Sequence, residues 1–468
     1  MMLKKPIAMA VLAVLSCAVQ AADDADLAVI RSQIEELKKS YEQRIASLEE
    51  KLARTQAGSA VNRSDKPAVA DQPVPGKASG FNPEVSLILQ GRYKSMKDVA
   101  ERGITGFVPA GGHAHEDGGI KGISKRGFSV DHTELMLSAN VDPYWRGQAI
   151  LAMADGEVEV EEAWVQSLAI GHGVGLKAGR YLSGIGYLNE QHPHAWDFAD
   201  APLMYSALFG EHGSYAQDGV QLKWLAPTSM MLEFGAEVGR GANFPGTDRN
   251  GNGIGASAIF AHIGDDVGVA HSWRAGLSYQ RTRARGREAE VHDANDVHGE
   301  ALFSGESKTW LADFVWKWAP DGNPKYRNFK FQGEYFNRRE SGDIGCESDE
   351  AGAACSGVRD LYRSRQSGWY AQAVYQFTPN WRAGVRYDRL NSGSTKIGAN
   401  ALAEIGNENA MFKDFRPSRA SLMVDYGWSE FSRVRLQYAR DRSMAGITDN
   451  QVTVQYIMSL GAHGAHKF

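Results

Sequence analysis

From Phe81 to Leu460 the sequence is written in steps of two. Trp310, Ala312, Phe314, Trp316 and Trp318 alternate with Leu311, Asp313, Val315 and Lys317. Trp369, Ala371, Ala373, Tyr375 and Phe377 alternate with Tyr370, Gln372, Val374 and Gln376, and the same rhythm recurs at 381–388, 433–438 and 451–460. A period of two is the signature of a strand whose two faces meet different surroundings. One face is apolar with aromatic ends; the other is polar and often charged. A soluble sandwich turns its apolar face inward and seldom crowds aromatics at the strand tips. A lipid-facing strand turns its apolar face outward, carries aromatics at both ends and keeps its polar side toward a wet lumen.

About sixteen such segments fit between residues 81 and 468, roughly 24 residues for each strand with its connection. The connections alternate in length. Short ones fall at Asp142-Pro143-Tyr144, Gly171 to Gly173, Pro227-Thr228, Thr378-Pro379 and Gly427-Trp428. Long ones are expected at 96–126, 184–214, 284–308, 339–367 and 391–417. Short turns on one rim, long loops on the other and an even strand count describe an all-β protein: an antiparallel transmembrane barrel of about 16 strands. Composition agrees. Mean hydropathy is −0.38, too low for a bundle of membrane helices, and a formal charge of −5 excludes a strongly basic nucleic-acid binder.

The N-terminal 80 residues follow other rules. Residues 1–21 carry Lys4 and Lys5, an apolar run from Ile7 to Leu15, and Val19 and Ala21 before a cut, which is the layout of a secretory signal peptide. Val14 to Cys17 also offers a lipoprotein box, against which the second, well-formed cut is preferred. Residues 22–56 place Leu27, Ile30, Ile34, Leu37, Tyr41, Ile45, Leu48 and Leu52 at steps of three and four among many charges. So narrow a seam predicts a coiled-coil helix that associates with its own copies, in the periplasm. Residues 57–80 are a small-residue and proline linker, and the barrel occupies 81–468.

No G-x-S-x-G elbow, H-E-x-x-H or phosphate loop is present, so no enzyme is expected. The connection at 184–214 follows the fifth strand, where an inward fold would narrow a channel, and it carries Glu190, Asp197, Asp200 and Glu211. Face assignment turns Arg274, Arg382, Arg386, Arg433 and Arg435, on strands nine, thirteen and fifteen, into the lumen. Acid on the loop and base on the wall would set a transverse field across an aqueous constriction; solvation of a polar lumen is the alternative. Histidine clusters at His113 and His115 and at His192 and His194, each near carboxylates, offer transient zinc sites without a complete ligand set. No resident cofactor is expected. Asp248 to Gly253 resembles the front of a calcium loop, but Ile259 stands at its twelfth position, so a turn is read there. Cys346 and Cys355, the two cysteines left after signal cleavage, read as a disulfide in one outer loop.

Several segments resemble the bacterial zinc-regulated outer-membrane porin family: FNPEVSLILQGRY (81–93), EVEEAWVQ (159–166), KAGRYLSGIGYLNEQHPHAWDFADAPL (177–203), DGVQLKWLAPT (218–228), HSWRAGLSYQR (271–281) and QYIMSLGAHGAHKF (455–468). Members are often labelled TonB-dependent receptors. The resemblance implies an outer-membrane protein expressed under zinc limitation, with metal-related uptake. The expectation is therefore a passive porin, associating as a homotrimer in the lipid bilayer of the outer membrane and passing small polar solutes or ions. A gated, energy-coupled receptor is the second reading, although the expected mature start, Ala22-Asp23-Asp24-Ala25-Asp26, does not resemble a coupling motif.

Overall fold

The chain divides into two compact units, residues 1–77 and 78–468. The computed structural model describes residues 83–461 of the second unit, apart from 100–101, 109–113, 116–118, 121–125, 131, 155–156, 211–212, 249 and 407. The signal peptide, coiled coil and linker expected over 1–80 lie outside the described residues. So do His113, Glu211 and the C-terminal segment after Gly461; the side chain of His115 is likewise not described.

Sixteen antiparallel strands run in chain order, each bonded to its neighbours. They are β1 Glu84–Ser95, β2 Gly127–Val130 continued as Thr133–Asn140, β3 Trp145–Ala154, β4 Glu157–Ser167 and β5 Val174–Leu182. Then come β6 Ala216–Leu225, β7 Met231–Gly239, β8 Ala256–Val267, β9 His271–His292, β10 His298–Trp318 and β11 Asn328–Glu347. The circuit ends with β12 Asp360–Gln376, β13 Trp381–Ile397, β14 Ser418–Ser429, β15 Ser432–Arg442 and β16 Asp449–Gly461. β1 pairs with β16 from Ser86 opposite Gly461 to Ser95 opposite Val452, so the sheet closes on itself. Closure leaves no strand edge unpaired, the condition for spanning lipid with β-structure.

The alternation decides which side faces out. Leu89, Leu222, Phe234, Leu277, Phe314, Val385, Leu422, Leu436 and Val454 are exposed on the outer surface. Their strand neighbours Gln90, Gln221, Asp313, Arg386, Ser421, Arg435 and Gln455 are buried inside. Aromatics mark both ends of this outer band. Tyr279 and Trp310 pack at 4.8 Å between ring centres and Trp369 and Tyr387 at 5.6 Å; six residues along the strands, Trp316 meets Phe329 at 5.6 Å and Trp381 meets Tyr426 at 4.8 Å. Six strand residues span about 20 Å, a height suited to the apolar layer of a membrane.

Four connections differ from expectation. Residues 284–308 and 339–367 are mostly strand, and β13 continues to Ile397, because β9 to β13 run 17 to 22 residues each. About 9–11 residues suffice to cross a bilayer, so the far halves of these strands stand beyond it. There Val291, Phe303, Ile344, Cys346 and Tyr362 gather under helix α2 (Ala399–Ile405) and Met411, forming a core outside the membrane band. At the opposite rim, β14 continues through Gly427 and Trp428 to Ser429, so the tight turn falls at Glu430 and Phe431. Sixteen strands also remove support for the energy-coupled receptor, whose barrel has twenty-two strands around a plug.

Candidate functional site

The chain from Ser183 to Tyr215 leaves β5 and returns at β6, as the position of the long connection requires. It turns into the barrel. Its ends are held together by Asn189, whose amide donates to the carbonyls of Ser183 (2.7 Å) and Tyr215 (3.1 Å) and accepts from the Tyr215 N–H at 2.6 Å. Helix α1 (Leu203–Phe209) forms its middle. Leu203, Met204, Tyr205, Leu208 and Phe209 pack with Ile185, Leu188 and Trp196 of the same segment and with Phe260, Leu311, Phe336 and Tyr370 of the wall. An apolar kernel therefore sits inside a lumen that is otherwise polar.

Polar contacts tie this segment across the lumen. Glu237 of β7 accepts from the Ser183 hydroxyl (2.6 Å) and the Gly184 N–H (2.8 Å). Glu334 of β11 accepts four bonds: from the N–H groups of Tyr187 (3.2 Å) and Leu188 (3.0 Å) and from the hydroxyls of Tyr205 (2.8 Å) and Tyr370 (2.7 Å). The Leu203 N–H donates to Asp388 at 2.9 Å, and the Ala199 N–H donates to Gln437 at 2.8 Å.

The residues singled out from sequence meet here. Glu190 pairs with Lys223 at 2.8 Å. Asp197 pairs with Lys330 (2.9 Å) and Arg382 (3.2 Å), and Asp200 with Arg386 (2.7 Å) and Arg419 (2.9 Å). Arg435 is fully buried, 2.8 Å from Asp425, and donates to the Trp196 carbonyl at 2.9 Å. Arg433 donates to the His194 carbonyl. Arg274 lies over the Tyr187 ring at 5.4 Å. Loop acids and wall bases thus touch directly, and at these pairs no water layer separates them. The charges fasten the loop as well as line the lumen. Low-dielectric surroundings strengthen each attraction, and each group also loses hydration.

Residues not foreseen carry much of this: Glu237, Glu334, Asp388, Lys330 and Arg419. Their signal was present, since each is a charge on the lumen face of its strand, but strand pattern does not say which loop atom reaches it. A second group was foreseen only in its loop histidines, His192 and His194. His192 and His194 of the loop meet Glu134 of β2 and Glu161 and Glu162 of β4, and His132, in the break within β2, meets the same Glu161. In β4 the register shifts between Ile150 and Leu151 of β3, which oppose Glu162 and Val160, leaving Glu161 without a ladder partner on β3. This bulge breaks the alternation and lets two successive glutamates approach the same loop histidine. β2 carries a similar irregularity: Gly91 opposes Val130 but Ile88 opposes Glu134, one residue more on β2 than on β1. Elsewhere, His298 pairs with Glu290 at the tip of the β9–β10 hairpin, Asp248 pairs with Arg240, and Cys346 and Cys355 form a disulfide with Cα atoms 4.9 Å apart.

No protein-family model matches the sequence. An uncharacterised protein of Aquifex aeolicus (strain VF5) is 31% identical over 425 residues, covering 85% of this chain and 82% of that protein. The chain belongs to the family of that protein. Family membership brings no activity with it. Solved structures similar to the chain include OmpT, an outer-membrane protein of Vibrio cholerae (10% identical, TM-score 0.47, 82% of this chain and 99% of that one). The outer-membrane channel DcaP of Acinetobacter baumannii (12%, 0.46, 82% and 99%) and an anion-selective porin from Comamonas acidovorans (9%, 0.47, 81% and 100%) are similar to the same extent.

Proposed function

We propose that this protein is an outer-membrane porin through which small polar solutes or ions diffuse, and that the segment 183–215 narrows its channel. One observation carries the reading: a closed barrel, apolar outside and charged inside, holds a folded segment bonded across its lumen. The resemblance to porins adds metal-related uptake under zinc limitation and assembly as a trimer. Glu190, Asp197, Asp200, Arg274, Arg382, Arg386, Arg433 and Arg435 are the groups proposed to set permeability, as loop fasteners and as lumen charges together.

Single-channel conductance of the purified full-length protein in a planar bilayer tests this. Steady ohmic steps are expected. Asp197→Asn with Asp200→Asn leaves Lys330, Arg382, Arg386 and Arg419 with less compensation, so anion passage should rise. Arg382→Gln with Arg386→Gln should shift selectivity toward cations. A folded barrel that conducts no ions would overturn the porin reading. Conductance insensitive to all four changes would remove these residues from the narrowest point.

A further inference from the structure

We infer that the seam between the inward segment and strands β2 and β4 is a binding site for a divalent transition-metal ion of the zinc class. The nucleus is His132, Glu134 and Glu161, whose ligand atoms all lie within 4.8 Å of one another. The loop adds two imidazoles. His132 Nε2 is 3.1 Å from Glu161 Oε2 and 3.9 Å from Glu134 Oε1. His192 Nδ1 is 3.1 Å from the same Glu161 oxygen and 3.5 Å from Glu134 Oε2. His194 Nδ1 is 2.9 Å from Glu134 Oε1.

These spacings have a chemical meaning. Zinc binds nitrogen and oxygen at about 2.0–2.1 Å in a tetrahedron, which sets neighbouring ligand atoms about 3.3 Å apart. The imidazole-to-carboxylate separations here, 2.9 to 3.9 Å, straddle that value. The donor set of imidazole and carboxylate is one that zinc accepts, whereas calcium and magnesium prefer oxygen alone. His192 also turns its other nitrogen, Nε2, toward Glu162 Oε1 at 2.8 Å. A carboxylate behind a ligating histidine fixes the ring and its tautomer, the usual support of a metal-bound imidazole.

A second, independent observation points to a missing ligand. The side chain of Glu134 is fully buried, and its Oε2 atom accepts no hydrogen bond. Among the described residues, the ion-pair partners of Glu134 and Glu161 are all histidines. Both strand irregularities of this region, at β2 and β4, serve to bring these groups together, and bulges are retained where a side chain must be re-aimed. The ligands come from the wall and from the loop, so a bound ion would join the two. The site therefore goes beyond the porin reading, and its binding is measured without reference to conduction.

The test uses full-length protein in detergent, stripped with a chelator and titrated with Zn²⁺ alone, with binding read calorimetrically and the ligand shell read by zinc X-ray absorption. One ion per chain with a shell of mixed histidine nitrogen and carboxylate oxygen is expected. His132→Gln and Glu161→Gln should each weaken binding by more than the ~10- to 100-fold typical of a supporting residue. His192→Ala, in the loop and away from the strand ladder, should do the same, and circular dichroism checks that each barrel remains folded. His292→Ala with His298→Ala should leave binding unchanged. Absence of stoichiometric binding, or binding untouched by these three substitutions, would overturn the site. Loss of conductance with zinc binding intact would defeat the porin reading alone.

Discussion

Glu334 fastens the root of the inward segment to the wall through hydrogen bonds rather than an ion pair. Its two oxygens receive two backbone N–H groups, from Tyr187 and Leu188, and two phenols, from Tyr205 and Tyr370. Replacing Glu334 by alanine strands all four donors. The phenols rotate and find other acceptors; the backbone donors do not. A buried donor left unsatisfied costs about 1–3 kcal/mol, so the pair costs about 2–6 kcal/mol. At ~1.4 kcal/mol per decade, even the lower figure shifts the balance between seated and released loop by about 30-fold. Glu334→Gln keeps the volume but offers an amide donor where donors already point, so a smaller effect of the same sign is expected. The ladders from β10 through β12 do not depend on this side chain, and the barrel should remain closed. Two measurements report on the loop: current noise in single-channel records, which should rise, and proteolytic cleavage between residues 183 and 215, which should appear. If Glu334→Ala conducts as quietly as the parent and its loop resists protease equally, the segment is not held by this carboxylate.

Three further outcomes follow from the geometry. Arg435→Met leaves Asp425 paired with Arg382, so barrel stability should fall by less than the about 3–5 kcal/mol that an uncompensated buried charge costs, as read by urea unfolding in lipid vesicles. Reduction of the Cys346–Cys355 bond should expose residues 348–359 to protease while the barrel's resistance to heat stays unchanged, because the bond closes a short loop worth about 2–3 kcal/mol locally. Asp293, in the turn between β9 and β10, loses water, which pushes its carboxyl up, but N–H groups of Val297, Ala354, Asn295 and Cys355 more than offset this and hold it below the ordinary value. Its contribution is present above about pH 3.9, the unfolded carboxylate value, and is lost as pH falls through the lower folded value. Asp293→Asn at neutral pH should therefore free the 348–359 loop as acid does in the parent, by the same protease assay.

How far the sequence could be read depended on whether a feature repeats. Strand alternation repeats, so Trp310, Ala312 and Phe314 announced an outer face and Leu311 and Asp313 an inner one, and the count of about sixteen followed. The inward segment was legible from its length and place after β5, and its acids from composition. Hydrophobic patterning could not distinguish a strand that leaves the membrane from a polar loop, because beyond the bilayer there is no lipid to demand an apolar face. That is why β9 and β10 read as a long connection over 284–308. The histidine–glutamate seam was half visible: His192-Pro193-His194 stands out, whereas Glu161 and Glu162 reach it only through a one-residue bulge. The insertion shows only as the Glu161-Glu162 doublet where the alternation of 157–161 changes phase, a mark that does not say which loop residue the two carboxylates meet.

The bonding of the inward segment bears on how such a channel can change over time. Gly184, Tyr187, Leu188, Ala199 and Leu203 give their N–H groups to Glu237, Glu334, Gln437 and Asp388, side chains that belong to four different strands. The segment has little regular structure of its own and takes its shape from the wall, much as a casting takes it from a mould. It cannot be exchanged between barrels as a cassette. A graft of residues 183–215 into another sixteen-stranded host would arrive without its acceptors and would not reproduce the constriction. Conversely, substitutions at these four wall positions should be inherited together with matching changes in the loop, and selectivity should drift by paired replacement rather than by loop swapping.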